Sequence, residues 1–294
     1  MPSNIHVELM VDVPDDALYR SWVRSWFSSA LDVLGHALGL RYEHADTAQP
    51  DELPDSSHSA VVFLARESLV MGERSQRRAF SSENLDWLCD AAVAGHITRC
   101  EAGWGRLRDF FGIKVWRDDT DRSWAQFILE VPEEHLRSAV GRSVQEAVLR
   151  VLRELAEVSN PVFGAFGYGD LTGTEFEHCT ESYGAWDAYP TARRYLRGYG
   201  WLTVVPTEVV ERLGGVAGLE AGGSFVEVSG LAGGGAWLRA GMDFFDYDLS
   251  SAGGVFQAVA AALRPGMPGV REELGVPAPR TPVVLQDAAD YGAQ

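Results

Sequence analysis

The segment Arg197-Gly-Tyr-Gly-Trp-Leu-Thr-Val-Val-Pro206 decides the fold of this 294-residue chain. An Arg-Gly pair leads into an aromatic and β-branched run, which predicts a strand. Leu213-Gly-Gly215 then predicts that a short helix ends at paired glycines, and residues 233–241, Gly-Gly-Gly-Ala-Trp-Leu-Arg-Ala-Gly, predict a glycine-rich turn into a second strand. The positions expected to be structural in this sheet are Arg197, Gly198, Trp201, Gly214, Gly215 and Trp237.

This order of motifs, R-G-x-x-W, L-G-G and G-G-x-W-L-x-A-G over residues 193–264, resembles the bacterial immunity family that neutralises VRR-type nuclease effectors of type VI secretion systems. The resemblance implies a non-enzymatic protein that binds and blocks a toxin and needs no cofactor. In that family the stretch after the last Trp strand is also acidic and leads into the final helix. Asp243, Asp246 and Asp248 occupy that stretch here.

Composition indicates a globular protein with a sizeable core, because 46% of the residues are hydrophobic. No run approaches the ~20 apolar residues that a membrane-spanning helix needs. The N-terminus, Met1-Pro-Ser-Asn-Ile-His6, lacks the basic start and apolar run of a signal peptide. The expected location is therefore cytoplasmic.

The net charge of −17, from 42 acidic and 25 basic residues, argues against direct nucleic-acid binding, which depends on Lys and Arg replacing condensed counterions. An acidic protein attracts basic partners, and complementary charge speeds association. The sequence thus predicts a protein toxin with a basic surface as the partner. Solubility alone is the alternative explanation of the charge.

Two segments have similar sequences: residues 7–18 (Val-Glu-Leu-Met-Val-Asp-Val-Pro-Asp-Asp-Ala-Leu) and residues 125–136 (Ala-Gln-Phe-Ile-Leu-Glu-Val-Pro-Glu-Glu-His-Leu). In each, an apolar strand is followed by a proline and two carboxylates. Proline and acidic residues both suit the first turn of a helix. Apolar residues at helical spacing then continue from Leu18 and from Leu136, which predicts two amphipathic helices.

The predicted fold class is α+β, with a mostly antiparallel sheet and helices packed on one face. The repeated β-α-β order is compatible with two ferredoxin-like halves, about residues 1–122 and 123–264 of a single domain. Residues 265–294 contain five prolines among small and acidic residues, which predicts an extended or disordered tail. Further strands are expected near residues 60–65, 97–102, 113–116, 162–168, 225–228 and 236–240, and helices near 82–94 and 252–264.

The predicted loop at residues 169–192 carries acidic and aromatic side chains and no Lys or Arg. Rigid aromatics supply contact area, and carboxylates pair with Arg and Lys of a partner. The candidate partner-binding residues, in this loop and in the acidic stretch near residue 245, are Asp170, Glu175, Glu177, Glu181, Tyr183, Trp186, Asp243, Asp246 and Asp248. An ordinary solvated loop is the alternative.

The sequence lacks the common catalytic and metal-binding patterns. The best metal candidate, Glu175-Phe-Glu-His-Cys179, is expected to place its residues on opposite sides of an extended chain, where they cannot converge on one ion. Cys89, Cys100 and Cys179 show no C-x-x-C pairing and are expected to be free thiols. No nucleophile elbow or P-loop is present, so no catalytic residue, metal or cofactor is predicted.

The leading hypothesis is therefore an immunity or inhibitor protein that occludes the active or substrate-binding surface of a cognate toxin, plausibly a nuclease. The alternative is a small-molecule-binding protein or enzyme with a cleft between two ferredoxin-like halves. A pocket with converging His, Asp and Arg side chains would favour the alternative, and an acidic face with exposed aromatics would favour the inhibitor. The identity of the toxin, the location of the interface and the oligomeric state stay open.

Overall fold

A computed structural model describes residues 4–39, 41–42, 59–67, 76–94, 97–104, 110–117, 121–168, 173–179, 189–266, 268 and 279–291. Contacts divide the chain into two compact units. Unit 1 comprises Met1–Asn4 and Met10–Leu155, and unit 2 comprises Ile5–Leu9 and Ala156–Gln294. The boundaries predicted for two halves of a single domain are not tested by this division and stay a prediction.

Unit 1 contains long helices and a group of paired strands. Its helices are α1 (Asp16–Ala37), α2 (Ser82–Val93), α3 (Glu133–Arg137) and α4 (Gly141–Val158, which ends in unit 2). Its strands are β1 (Asn4–Asp12, shared with unit 2), β2 (Arg41–Tyr42), β3 (Ser59–Glu67), β4 (Gln76–Ala79), β5 (Ile97–Trp104), β6 (Phe110–Arg117) and β7 (Trp124–Pro132).

The helices of unit 1 begin where the sequence supplies a cap. The Asp15 carboxylate accepts a hydrogen bond from the backbone N–H of Leu18 at 2.8 Å, and the Ser81 hydroxyl accepts one from Asn84 N at 3.1 Å. Such caps satisfy donors that have no partner within the helix. The apolar stripe of α1 then buries Trp26 and Phe27, and Trp26 meets Phe127 of β7 edge to face.

The strands of unit 1 pair mostly antiparallel. The order β7, β6, β5, β3 is antiparallel at each step, β4 pairs antiparallel with β3, and β2 pairs parallel with β3. Alternate residues of such strands face opposite sides of the sheet, and β7 is buried along nearly its whole length. This burial explains why its sequence is apolar almost throughout.

Unit 2 contains shorter elements. Its strands are β8 (Pro161–Gly167), β9 (Leu202–Val205), β10 (Glu227–Gly230) and β11 (Ala236–Arg239). Its helices are α5 (Glu175–Cys179), α6 (Thr207–Arg212), α7 (Gly215–Ala221) and α8 (Leu249–Val259). Single turns of 3-10 helix lie at Tyr189–Thr191, Phe244–Asp246, Ala260–Ala262 and Ala288–Tyr291.

The sheet of unit 2 runs β8, β9, β11, β10, antiparallel at each step. The β1 residues that belong to this unit lie next to β8. A Cβ at Gly164 of β8 would come within 2.9 Å of side-chain atoms of Leu9 and Val204, so glycine lets side chains from two elements meet over the strand. Trp201 and Trp237 form the centre of the core and are buried.

The predicted α+β class with a mostly antiparallel sheet is confirmed. The predicted strands and long helices are present with ends within three residues of the predicted positions, except that the helix expected near 252–264 ends five residues earlier, at Val259. The sequence prediction missed β2, β4, α7 and α5. Helix α5 lies inside the segment expected to be a loop. In the part of the chain that the structure describes, no helix combines the length and apolar character needed to cross a lipid bilayer.

Candidate functional site

A buried ion cluster anchors α5 in unit 2. Arg197 donates through Nε to Glu177 Oε1 at 2.9 Å and through Nη2 to Glu177 Oε2 at 2.8 Å. Its Nη1 lies 3.5 Å from Glu8 Oε2. All three side chains are at most 5% exposed. Glu177, predicted as a partner-contacting residue, therefore lies in the interior and holds the structural residue Arg197.

Glu177 also takes part in capping the N-terminus of its own helix, α5. The Thr174 backbone N–H donates to Glu177 Oε2 at 2.8 Å, and the Glu177 N–H donates to Thr174 Oγ1 at 3.1 Å. This reciprocal arrangement is a capping box, and its T-x-x-E spacing is visible in the sequence. Burial raises the pKa of Glu177, while the Arg197 guanidinium acts in the opposite direction.

Glu175 lies two residues earlier and holds the C-terminal part of the chain. Its Oε1 accepts a hydrogen bond from Arg280 N at 2.6 Å, and its Oε2 accepts one from Thr281 N. The Tyr199 hydroxyl accepts a third backbone N–H, from Val284, at 2.8 Å. Residues 279–291, the tail segment, are thus attached to unit 2 through main-chain groups.

A second candidate region is the acidic turn, residues 242–249, which follows β11 and ends at the first residue of α8. The buried Arg239 donates to the carbonyl oxygens of Gly241 at 3.0 Å and Met242 at 2.7 Å. Asp243 accepts from Phe245 N at 2.9 Å, and Asp248 accepts from Ser251 N at 2.8 Å. These bonds fix both ends of the turn.

The acidic turn presents apolar and charged side chains to solvent together. Leu249 is 69% exposed and Met242 is 54% exposed, and both rank among the most exposed large apolar residues described. Asp246 and Asp248 are exposed, and Asp243 is half-buried. Sequence reasoning missed Arg239, Met242 and Leu249, although the charged residues beside them were identified.

The three aspartates differ in what their carboxylates do. The Ser251 N–H and hydroxyl hold the pKa of Asp248 below its ordinary value, because both hydrogen bonds favour the charged form. Asp243 and Asp248 are caps, while Asp246 lies in the single 3-10 turn between them. Asp246 is therefore the position at which charge can be changed without removing a backbone hydrogen bond.

The residues predicted to be structural lie in and around the core of unit 2. Trp201 packs against Phe166 with ring centroids 4.9 Å apart, and the Arg239 guanidinium lies 5.0 Å from the Trp201 ring. A Cβ at Gly198 would approach Thr174 Oγ1 to 2.7 Å. Gly214 and Gly215 have φ of 86° and 76°, which favours glycine between α6 and α7.

Four predicted partner-binding residues, Asp170, Glu181, Tyr183 and Trp186, lie outside the described residues. The remaining five fall into separate groups. Glu177 is buried, Glu175 binds the tail segment, and Asp243, Asp246 and Asp248 form the acidic turn. The described candidates therefore differ in role, and Glu177 lies in the interior and not on a partner-contacting surface.

The metal candidate differs from its prediction in conformation, because Glu175–Cys179 is a helix and not an extended chain. Its carboxylates bind Arg197 and the tail segment instead. Among the described residues, no three His, Cys, Asp or Glu side chains are placed to hold one metal ion. Cys89 and Cys179 are buried free thiols, and burial raises the pKa of Cys89 to about 11.

Each unit has a concave feature of its own. Unit 2 contains a cavity of about 30 Å³ beneath the tail segment, lined by residues that include His6, Glu8, Tyr199 and Thr281. It has room for roughly one or two water molecules. Unit 1 has an open cleft of about 520 Å³ between α1 and α4, lined by His36, Arg142, Ser143, Glu146, Arg150 and three apolar residues.

The comparisons with known proteins support the fold. No protein-family model matches the chain, and no curated protein matches it. Among solved structures, the chain is similar to a Pseudomonas aeruginosa protein described as the T6SS protein PA0821, with a TM-score of 0.57 and 14% sequence identity. The match covers 98% of this chain and 80% of that one. At this identity the likeness establishes a shared fold.

Proposed function

We propose that this chain is a type VI secretion-associated protein that binds and neutralises a bacterial toxin of the nuclease class, and that it has no enzymatic activity. The observation that carries the proposal is the structural likeness to a T6SS protein over 98% of the chain. The motifs in residues 193–264 suggest the same biological setting independently. Together they favour an immunity role over a general binding role.

The charge of the chain supports a basic partner. With 42 acidic and 25 basic residues, the chain has a negative field that would attract a nuclease whose substrate-binding side is positive. Such a field mainly raises the association rate and depends on salt. Neutralisation then follows from occlusion of the substrate-binding surface, which needs no catalytic group.

The acidic turn is the surface that we assign to this partner. Leu249 and Met242 supply apolar contact area, and Asp246 supplies a negative charge beside them. Hot spots of interfaces combine buried apolar anchors with surrounding polar groups. Because Arg239 and the two aspartate caps fix the backbone, little conformational entropy is lost when a partner binds.

The experiment uses the protein encoded next to this chain as the candidate toxin. Asp246→Lys should slow association by roughly tenfold at low salt and should flatten its salt dependence. Leu249→Ala should instead speed dissociation. Glu220→Lys is the matched control, because Glu220 is an exposed acid at the end of α7 and the substitution changes the charge equally.

Co-expression in bacteria provides the functional measurement. The wild-type chain should protect cells from the toxin, and Asp246→Lys combined with Leu249→Ala should not protect them, at equal protein levels. Equal protection by this double variant would place the interface elsewhere. Toxicity that persists with the wild-type chain, and no complex by gel filtration, would refute the neutralising function.

The rival function, a small-molecule-binding protein or enzyme, is favoured by the cleft in unit 1. Its volume of about 520 Å³ lies within the range typical of ligand pockets. Arg142, Arg150 and His36 would suit an anionic metabolite. A thermal-shift screen with nucleotides and organic acids tests this function, and stabilisation that Arg142→Ala and Arg150→Ala abolish would support it.

A further inference from the structure

The tail segment binds unit 2 mainly through its backbone. Glu175 accepts the N–H groups of two consecutive residues, Arg280 and Thr281, and Tyr199 accepts the N–H of Val284. Pro282, between these positions, has no N–H to satisfy. Because these hydrogen bonds are made to backbone N–H groups, another extended segment of different sequence can form them as well.

Side chains of the tail segment add selectivity. The Arg280 guanidinium lies over the Tyr168 ring, 4.0 Å from its centroid, which is a cation–π contact. Thr281 and Val283 are buried and line the cavity beneath the segment. We call the surface formed by Tyr168, Glu175 and Tyr199 the tail groove. It accepts an extended chain with an arginine at one position and a small apolar residue three positions later.

The walls of the tail groove favour a positively charged occupant. Glu175 is at the groove and supplies its negative charge, whereas Glu8, which lines the cavity below, already faces Arg197. Burial raises the pKa of Tyr199 to about 12, so its hydroxyl stays neutral and available as an acceptor at physiological pH. An acidic and aromatic groove of this kind suits an arginine-bearing peptide and repels an acidic one.

Resting on the proposed function, we propose that the tail groove is a recognition site for an extended, arginine-bearing segment of the toxin, and that residues 279–285 of this chain occupy it until the toxin binds. The partner must compete with an occupant that is tethered to the same chain. Tethering gives the tail a high effective concentration, so its release should limit the affinity of the partner for the groove.

The test begins with tail variants of the full chain that leave the groove intact. Arg280→Ala combined with Val283→Asp removes the cation–π contact and places a charge in the cavity. Val284→Pro removes the N–H that Tyr199 accepts. Hydrogen exchange should show faster exchange of the amides at positions 280 and 281, which Glu175 accepts, in both variants, with unchanged exchange in β9 and β11.

The second measurement is peptide binding without toxin, followed by fluorescence anisotropy. The probe is a labelled peptide with the sequence of residues 279–285, Pro-Arg-Thr-Pro-Val-Val-Leu. It should bind the tail variants at least about tenfold more tightly than it binds the wild-type chain. Replacing its arginine by alanine should weaken binding about threefold, as expected for an exposed cation–π contact.

Substitutions in the groove complete the test. Adding Glu175→Gln to a tail variant should abolish peptide binding, and adding Glu208→Gln, which changes an exposed pair with Arg193, should not. The inference is overturned if the peptide does not bind the released variants. It is equally overturned if the amides at positions 280 and 281 stay protected in both tail variants, because a segment that does not leave the groove cannot be displaced from it.

The toxin assay separates this inference from the proposed function. If the groove receives a toxin segment, the tail variants should bind the toxin about tenfold more tightly than the wild-type chain does. Unchanged toxin affinity, with full protection by the wild-type chain, overturns the inference and leaves the proposed function standing. Peptide binding without any toxin neutralisation overturns the proposed function.

Discussion

Arg197 donates two hydrogen bonds to the Glu177 carboxylate, at 2.9 and 2.8 Å, in the interior of unit 2. The pair joins the segment that precedes β9 to helix α5, and Glu8 of β1 lies beside it. Bidentate geometry makes such a contact specific in direction as well as strong. The first residue of the R-G-x-x-W motif thus positions a helix that is 20 residues away in sequence.

We predict that Arg197→Ala lowers the free energy of unfolding by ~3 to 5 kcal/mol, because two buried carboxylates then face each other without a cation. Urea unfolding followed by tryptophan fluorescence measures this loss. Arg193→Ala is the control, since Arg193 pairs with Glu208 at 2.8 Å at the surface and should cost less than ~1 kcal/mol. Similar losses in the two variants would show that the buried cluster contributes no special stability.

Trp201→Ala should lower the free energy of unfolding by ~3 to 5 kcal/mol through the cavity it leaves. The Trp201 side chain is completely buried and contacts Phe166 and Phe244. Thermal unfolding is the measurement, with Met242→Ala as an exposed control that should change stability by less than ~0.5 kcal/mol. An unchanged melting temperature for Trp201→Ala would assign this residue to a binding surface.

Two glycines should respond to alanine in opposite directions. A Cβ at Gly233 would lie 1.6 Å from the Ser159 carbonyl oxygen, so Gly233→Ala must displace the turn before β11 and should destabilise strongly. A Cβ at Gly253, inside α8, meets no atom within 4 Å. Gly253→Ala should therefore stabilise by ~0.5 to 1 kcal/mol through helix propensity.

Chemical denaturation of these two glycine variants beside the wild-type chain is the measurement. A stable Gly233→Ala variant would show that the glycine-rich turn adjusts without loss. Destabilisation by Gly253→Ala would show that α8 needs glycine there for packing.

The sequence was sufficient to predict the fold class, because periodicity and glycine placement act locally. The Trp201 and Trp237 strands, the capped start of α2 and the proline-led helices all follow from short-range rules. Strand β4 has the polar sequence Gln-Arg-Arg-Ala, which does not favour a strand by itself. Its backbone is held extended by antiparallel pairing with β3. Tertiary pairing of this kind leaves no local pattern.

The site was harder to predict, because the roles of acidic residues depend on what lies opposite them. Glu175 and Glu177 look alike in sequence, yet one holds the tail segment and the other holds Arg197. Their partners are 105 and 20 residues away, and no local rule connects them. Only the capping box of Thr174 and Glu177 could have been recognised from the sequence, and it would have predicted a helix where a loop was expected.

Acid should destabilise the wild-type chain more than it destabilises Asp248→Asn. The pKa of Asp248 is lowered in the folded state, so near the ordinary aspartate pKa of about 3.9 the unfolded chain binds more protons than the folded chain. The contribution of this cap is therefore complete above about pH 5 and is lost as pH falls through the folded pKa. Asparagine also caps helices but does not titrate.

The measurement is the urea midpoint between pH 7 and pH 3. Above pH 5 the urea midpoints of the two proteins should change with pH to a similar extent. Below pH 4 the midpoint of the wild-type chain should fall more steeply than that of Asp248→Asn. Asp16 and Asp287 also have lowered pKa values, so the variant keeps part of the acid sensitivity. If the urea midpoints of the two proteins fall equally below pH 4, the Asp248 cap is not formed in solution.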